Sequence, residues 1–131
     1  MAAVFGIDAH NAERFLDRGV VCLDRTVETE EVVFNTFRCI RTEDVIFIKN
    51  FTPQTGLQVI AAGVAKTGYP AENESEVCIP VEWVWRGEKL IDEFDEKCSR
   101  CADPLYEEHN IAVQREIINL MLGRLQFPSE W

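Results

Sequence analysis

The chain has 131 residues, 47% of them hydrophobic, and a formal net charge of −10. That length and apolar content predict one folded domain over residues 1–131 and exclude a disordered chain. The charge argues against a general nucleic-acid coat and against binding to anionic membranes, since both need clustered cations.

No apolar run in the sequence is long enough to cross a bilayer. The N-terminus lacks the basic-then-apolar order of a signal peptide, so the expected location is cytoplasmic.

In chain order, residues 2–7 offer a first strand or a packed arm. Residues 11–18 predict a short helix, with Asp8 or Asn11 as cap, Phe15 and Leu16 turned inward and Gly19 as stop. Residues 20–23 suit a short strand. Residues 26–40 are read as a helix, because Glu28, Glu30 and Glu31 suit the positive end of a helix dipole. Val33, Phe34, Phe37 and Ile40 have helical spacing there, although the valines and threonines lean the other way.

The centre of the sheet is expected at residues 43–64. Residues 45–48, Val-Ile-Phe-Ile, are a short unbroken apolar run of the kind buried on both faces. Thr52 to Gly56 break it as a loop, and residues 57–65 run apolar again. Gly63 inside that second strand marks a bulge or a close backbone approach.

Residues 67–75 read as loop. From 77 to 85 the chain alternates, placing Val77, Ile79, Val81, Trp83 and Trp85 on one face. Pro80 lacks an amide donor, which predicts an edge or a bulge at that point. Residues 86–88 read as a tight turn, 90–94 as a further strand and 96–103 as a polar loop. Asn110 looks like the cap of a last helix ending near Leu122 or Arg124, with a wide apolar face.

Five cysteines, an odd number with no secretion signal, predict reduced thiols. Cys98-Ser-Arg-Cys101 is a lone C-x-x-C in an acidic loop. Cys39, Cys78, His10 and His109 offer no second metal-like spacing beside it, so no metal is expected. His10 and His109 have no nucleophile motif, phosphate-binding glycine loop or paired-histidine helix for company. The expectation is a binding domain without cofactor, not an enzyme.

EDVIFIKNF followed by GLQVIAAGVA resembles the signature of PUA-like domains, especially their EVE branch. There a GD turn leads into an apolar strand, and the next strand carries a similarly placed glycine. VEWVWRG, then PLYEEHN and an amphipathic helix, is similar to the C-terminal half of small EVE-like proteins. The resemblance covers about residues 42–122 and leaves 1–41 unaligned. Asp44 stands at the turn aspartate, with Glu43 in place of the glycine. The tryptophan that begins many EVE sequences has no match, Phe5 being the nearest aromatic. The resemblance implies an α+β fold, a strongly curved mixed sheet or small barrel flanked by helices. It also implies an aromatic pocket for a base, often a modified one.

Candidate ligand-binding residues are Trp83 and Trp85 for stacking, and Phe51, Lys49, Asn50 and Thr52 at the end of the central strand. The same tryptophans would equally suit a core beneath the last helix. The stretch 33–71 carries about +2 against about −12 elsewhere, so Arg38, Arg41 and Lys66 would steer a phosphate. The expected ligand is a nucleobase, nucleotide or flipped base in nucleic acid. The alternative is an acidic interaction or inhibitor module that binds a basic protein partner.

Overall fold

The computed structural model describes residues 2–24, 31–52, 54–66, 71–72, 76–91 and 103–125. Its strands are β1 (Val4–Asp8), β2 (Val20–Asp24), β3 (Val45–Thr52), β4 (Gly56–Ala65), β5 (Ala71–Glu72), β6 (Glu76–Ile91) and β7 (Leu105–Glu107). Its helices are α1 (Ala12–Arg18), preceded by a 3-10 turn, α2 (Glu31–Arg38) and α3 (Ile111–Leu125). The main sheet runs β2-β6-β4-β3-β1-β7, with β5 paired to β6 off that path. β1 and β3 are parallel, and the other described ladders are antiparallel. The fold is mixed α+β, a curled six-strand path forming a half-barrel with a few helices.

As expected, β3 and β4 lie at the centre. Ile46 and Ile48 of β3 enter a core with Phe5, Phe15, Val21 and Phe37, to which α1 and α2 contribute. Val45 and Phe47 enter a second core with Leu57, Val59, Val113 and Ile117, to which α3 contributes. A strand with a core on each face cannot carry a polar side on alternate residues, which explains the unbroken run. Each fully buried side chain of this kind contributes about 1.5–3 kcal/mol.

The helix boundaries follow local chemistry. Gly19 ends α1 with φ 64°, and its N–H donates to the Phe15 carbonyl. Neither Asp8 nor Asn11 makes a side-chain cap bond there, contrary to expectation. Asn110 caps α3 as expected, its Oδ1 accepting from the N–H groups of Ala112 (2.9 Å) and Val113 (3.3 Å). α2 occupies the second half of the helix expected over 26–40, whose residues 26–30 lie outside the described ones.

β6 departs most from expectation. One strand of 16 residues replaces a strand, a turn at 86–88 and a new strand at 90. Gly87, read as a turn signal, makes room for a ring instead, since a Cβ there would lie 2.9 Å from Cζ2 of Trp85. Residues 92–94 lie outside the described ones. β6 changes partner at Pro80, pairing with β2 over 76–80 and with β4 from Val81 onward. Proline has no amide to offer a ladder and sits where the ladders meet.

Between β4 and β6 the register slips twice, once between Ala62 (opposite Trp85) and Gly63 (opposite Trp83). β6 carries an extra residue there. Gly63 makes the close approach its position suggested: a Cβ would stand 2.4 Å from the Glu82 carbonyl oxygen and 2.9 Å from Cα of Trp83. Backbone cannot yield as a side-chain tip can. Gly63→Ala is therefore expected to cost about 3 kcal/mol, the upper end for overpacking. A fall in the urea midpoint checks this, and an unchanged midpoint would contradict it.

The cysteines require a correction. Cys22 of β2 and Cys78 of β6 stand directly opposite in register and are disulfide-bonded. The expectation of five reduced thiols fails because a pairing across 56 residues brings two of them together. Cys39 is an exposed free thiol, while Cys98 and Cys101 lie outside the described residues.

Candidate functional site

The two indoles expected on one face lie on opposite faces. The extra residue between them breaks the two-residue alternation, so residues beyond the bulge change side. Trp83 packs against the Phe15 core, and its Nε1–H donates to the Phe15 carbonyl at 2.9 Å. The same carbonyl also accepts from the Gly19 N–H, so the indole adds a second bond at the end of α1. Trp85 packs, half-buried, against the α3 core.

Phe51 shares the face of Trp85 but not its neighbourhood. Phe47, Ala62 and Trp85 are aligned across the three strands, and Phe51 lies four residues further along β3. At about 3.3 Å per residue and about 4.8 Å per strand, the two aromatics sit about 16 Å apart. Stacked rings need centroids about 4.5–7 Å from each neighbour, so these two cannot clamp one base.

Lys49 is also corrected. Its side chain is 1% exposed and does not face an incoming phosphate. The parallel β1–β3 ladder sets Asp8 beside it in register. Its Nζ donates to Asp8 Oδ1 at 2.5 Å and to the Asp103 carbonyl at 2.6 Å, and lies 5.6 Å from the Tyr106 ring centroid. At the β3–β4 turn, Asn50 and Thr52 are exposed. The Thr52 hydroxyl accepts from the Thr55 N–H at 3.2 Å and bonds the Thr55 hydroxyl, which closes the turn on itself.

The basic residues divide. Lys66 lies 3.0 Å from Glu82 and 3.8 Å from Glu43, which offset its charge. The hydrogen bond to Glu82, then the charge of Glu43, raises its pKa above the ordinary lysine value. That contribution to folding is present below the ordinary value and is lost as pH rises through the raised one. Arg38 and Arg41 have exposed side chains, one ending α2 and the other opening the 41–44 turn. Asp44 is buried in that turn, its Oδ1 accepting from the Ala3 N–H (3.0 Å) and its Oδ2 from the Arg41 N–H (2.8 Å). Glu43 before it has φ 75°, in the left-handed region glycine adopts freely.

Glu108 was not singled out by sequence. It is fully buried ahead of α3, with Oε1 accepting from the Asn110 N–H at 3.2 Å. A carboxylate at the amino end of a helix meets a favourable dipole. His10 and His109 are exposed, the latter with Nδ1 3.9 Å from Glu107. The Cys22, Cys78 and Glu76 donor atoms lie within 4.8 Å of one another, but the two sulfurs are bonded together and are not thiolates. Glu76 also pairs with Arg14.

Val113, Ile117 and Met121 of α3 face the sheet, while Ile111, Ile118 and Leu122, to one side of that face, form an exposed apolar stripe beside the exposed Arg115 and Asn119. Among the described residues no helix is long and apolar enough to cross a membrane. The chain matches no protein-family model, and no curated protein matches it.

Proposed function

We propose that this protein is a non-catalytic binding domain for a nucleobase-bearing ligand, free or flipped out of a strand. The curled mixed sheet supports the reading, being compatible with the curved sheet that a PUA-like, EVE-like domain implies. The left-handed backbone at Glu43 suits a turn that carries glycine in that family. The observation that carries it is Trp85, a half-buried indole seated over Gly87 on the α3 face. Trp85 is the stacking residue, whereas Trp83 and Lys49 support the fold. Arg38 and Arg41, exposed but beside the core across the sheet from Trp85, steer a phosphate at long range and do not touch it.

Titration of the intrinsic fluorescence with nucleosides, nucleotides and modified-base oligonucleotides tests this. Trp85→Ala should weaken binding by about 1–3 kcal/mol through lost stacking, in protein that still unfolds cooperatively. A folded Trp85→Ala variant that binds like the parent overturns the stacking role. If no such ligand binds the parent below millimolar concentration, the reading is replaced by the second one, an acidic module that docks on a partner protein. The exposed stripe of Ile111, Ile118 and Leu122 favours that second reading.

A further inference from the structure

Among the described residues, the outer edge of β6 is open over part of its length. β2 pairs with residues 76–80 of this strand and β5 with Val77 and Cys78. From residue 84 to 91, β6 has β4 on one side and, among the described residues, no strand on the other. Exposed amides and carbonyls on such an edge are a template for another strand. Proline, one common protection, is absent from this part of β6, which has charged side chains and a register slip against β4 between Arg86 and Lys89.

What it carries instead is the pentapeptide Trp85-Arg86-Gly87-Glu88-Lys89. Laid antiparallel on itself about Gly87, this segment sets Arg86 of one copy opposite Glu88 of the other, twice. It also sets Trp85 opposite Lys89, twice. Charges that would repel a foreign edge become complementary to a second copy of this chain.

The faces agree. Trp85, Lys89 and Ile91 stand opposite Ala62, Val59 and Leu57 of the α3 core, and Arg86 stands opposite Ala61 of the other core. The register against β4 slips between Arg86 and Lys89, but Gly87 stands on the face of Trp85, whose ring a Cβ there would meet, which leaves Glu88 on the face of Arg86. A two-fold axis normal to the sheet keeps each face on its own side, so each opposed pair meets on one face. Arg86, Glu88, Lys89 and Leu90 are exposed, so the pairing displaces no core.

We infer that the protein forms a two-fold dimer through antiparallel pairing of β6 with β6, centred on Gly87, which makes one sheet continuous across both copies. The interface is self-complementary, as a two-fold contact must be. Each copy carries a net charge of −10, and the local pairs work against that repulsion. In about 0.15 M salt the repulsion is screened beyond about 8 Å, while opposed side chains remain within reach.

Sedimentation equilibrium of the full chain over a concentration series at that salt is the test. The parent is expected to dimerise. Arg86→Glu and Glu88→Arg each place like charges opposite one another at two points, and each should weaken the dimer about tenfold or more. The double variant R86E/E88R restores opposite charges in swapped order, and should return to within about threefold of the parent. Gly87 is left unchanged, because a side chain there would meet the Trp85 ring. Thermal unfolding of each variant at low concentration separates loss of fold from loss of dimer. Amide hydrogen exchange over 84–91 should slow as concentration rises. A parent that stays monomeric up to about 1 mM overturns the inference, since specific association weaker than about 4 kcal/mol is negligible. So does a dimer indifferent to both single reversals, or one that the double variant fails to restore.

Discussion

Loss of the Cys22–Cys78 bond is expected to lower the stability of the protein by about 4 kcal/mol, in the chain-entropy account of a loop of this size. The bridge joins residues 56 apart in sequence, so it confines a large part of the unfolded chain. Against a typical total of about 5–15 kcal/mol this is a large fraction. Cys22→Ala with Cys78→Ala is the cleaner form of the experiment, because a reductant acts on every disulfide present. Urea unfolding of the double variant should show an earlier midpoint, and adding reductant to it should change little further. Cys39→Ala, at an exposed free thiol, should leave the midpoint where it was. Equal midpoints for parent and double variant would show that the bridge contributes nothing in solution.

Lys49→Ala is expected to cost about 3 kcal/mol, the lower end for breaking a buried ion pair. The low end applies because the Asp8 side chain is 43% exposed, so water still reaches the carboxylate when its partner goes. The Asp103 carbonyl loses a donor in the same step. Lys49→Met keeps the aliphatic stem and removes only the ammonium, and should cost clearly less than Lys49→Ala. Equilibrium unfolding of both variants measures the difference. If alanine were as well tolerated as methionine, the packing of the stem would be irrelevant. If neither changed stability, Lys49 would not be the internal strut that its burial indicates.

How far the sequence could be read depended on the range of the interactions involved. The β3–β4 pair declared itself because both faces of β3 are covered, which leaves no polar phase in residues 45–48. α3 declared itself through its period and the Asn110 cap. Gly63 was legible as a close approach because a strand glycine has few other uses. Trp85 was not. Alternation assigns a face only until a bulge intervenes, and the bulge at Trp83–Trp85 arises from how β4 meets β6. Gly87 imitated a turn because a glycine under an indole and a glycine in a hairpin look alike in one dimension. Lys49 and the Cys22–Cys78 pair depend on neighbours 41 and 56 residues away. β7, three residues long, is too short for any period to show.

The parallel alignment of β1 with β3 has a further consequence, for the order in which the chain assembles. β3 and β4 are joined by a short turn and can zip locally. β1 is earlier in the chain, yet it has no ladder to join until β3 exists and the intervening segment has closed on itself. β7 then pairs with β1, so the strand from near the C-terminus waits for the strand from near the N-terminus. Closure entropy must be met before such distant pairings return anything. On that criterion the sheet is expected to grow outward from its middle, with β7, whose ladder with β1 joins the residues most distant in sequence, added last.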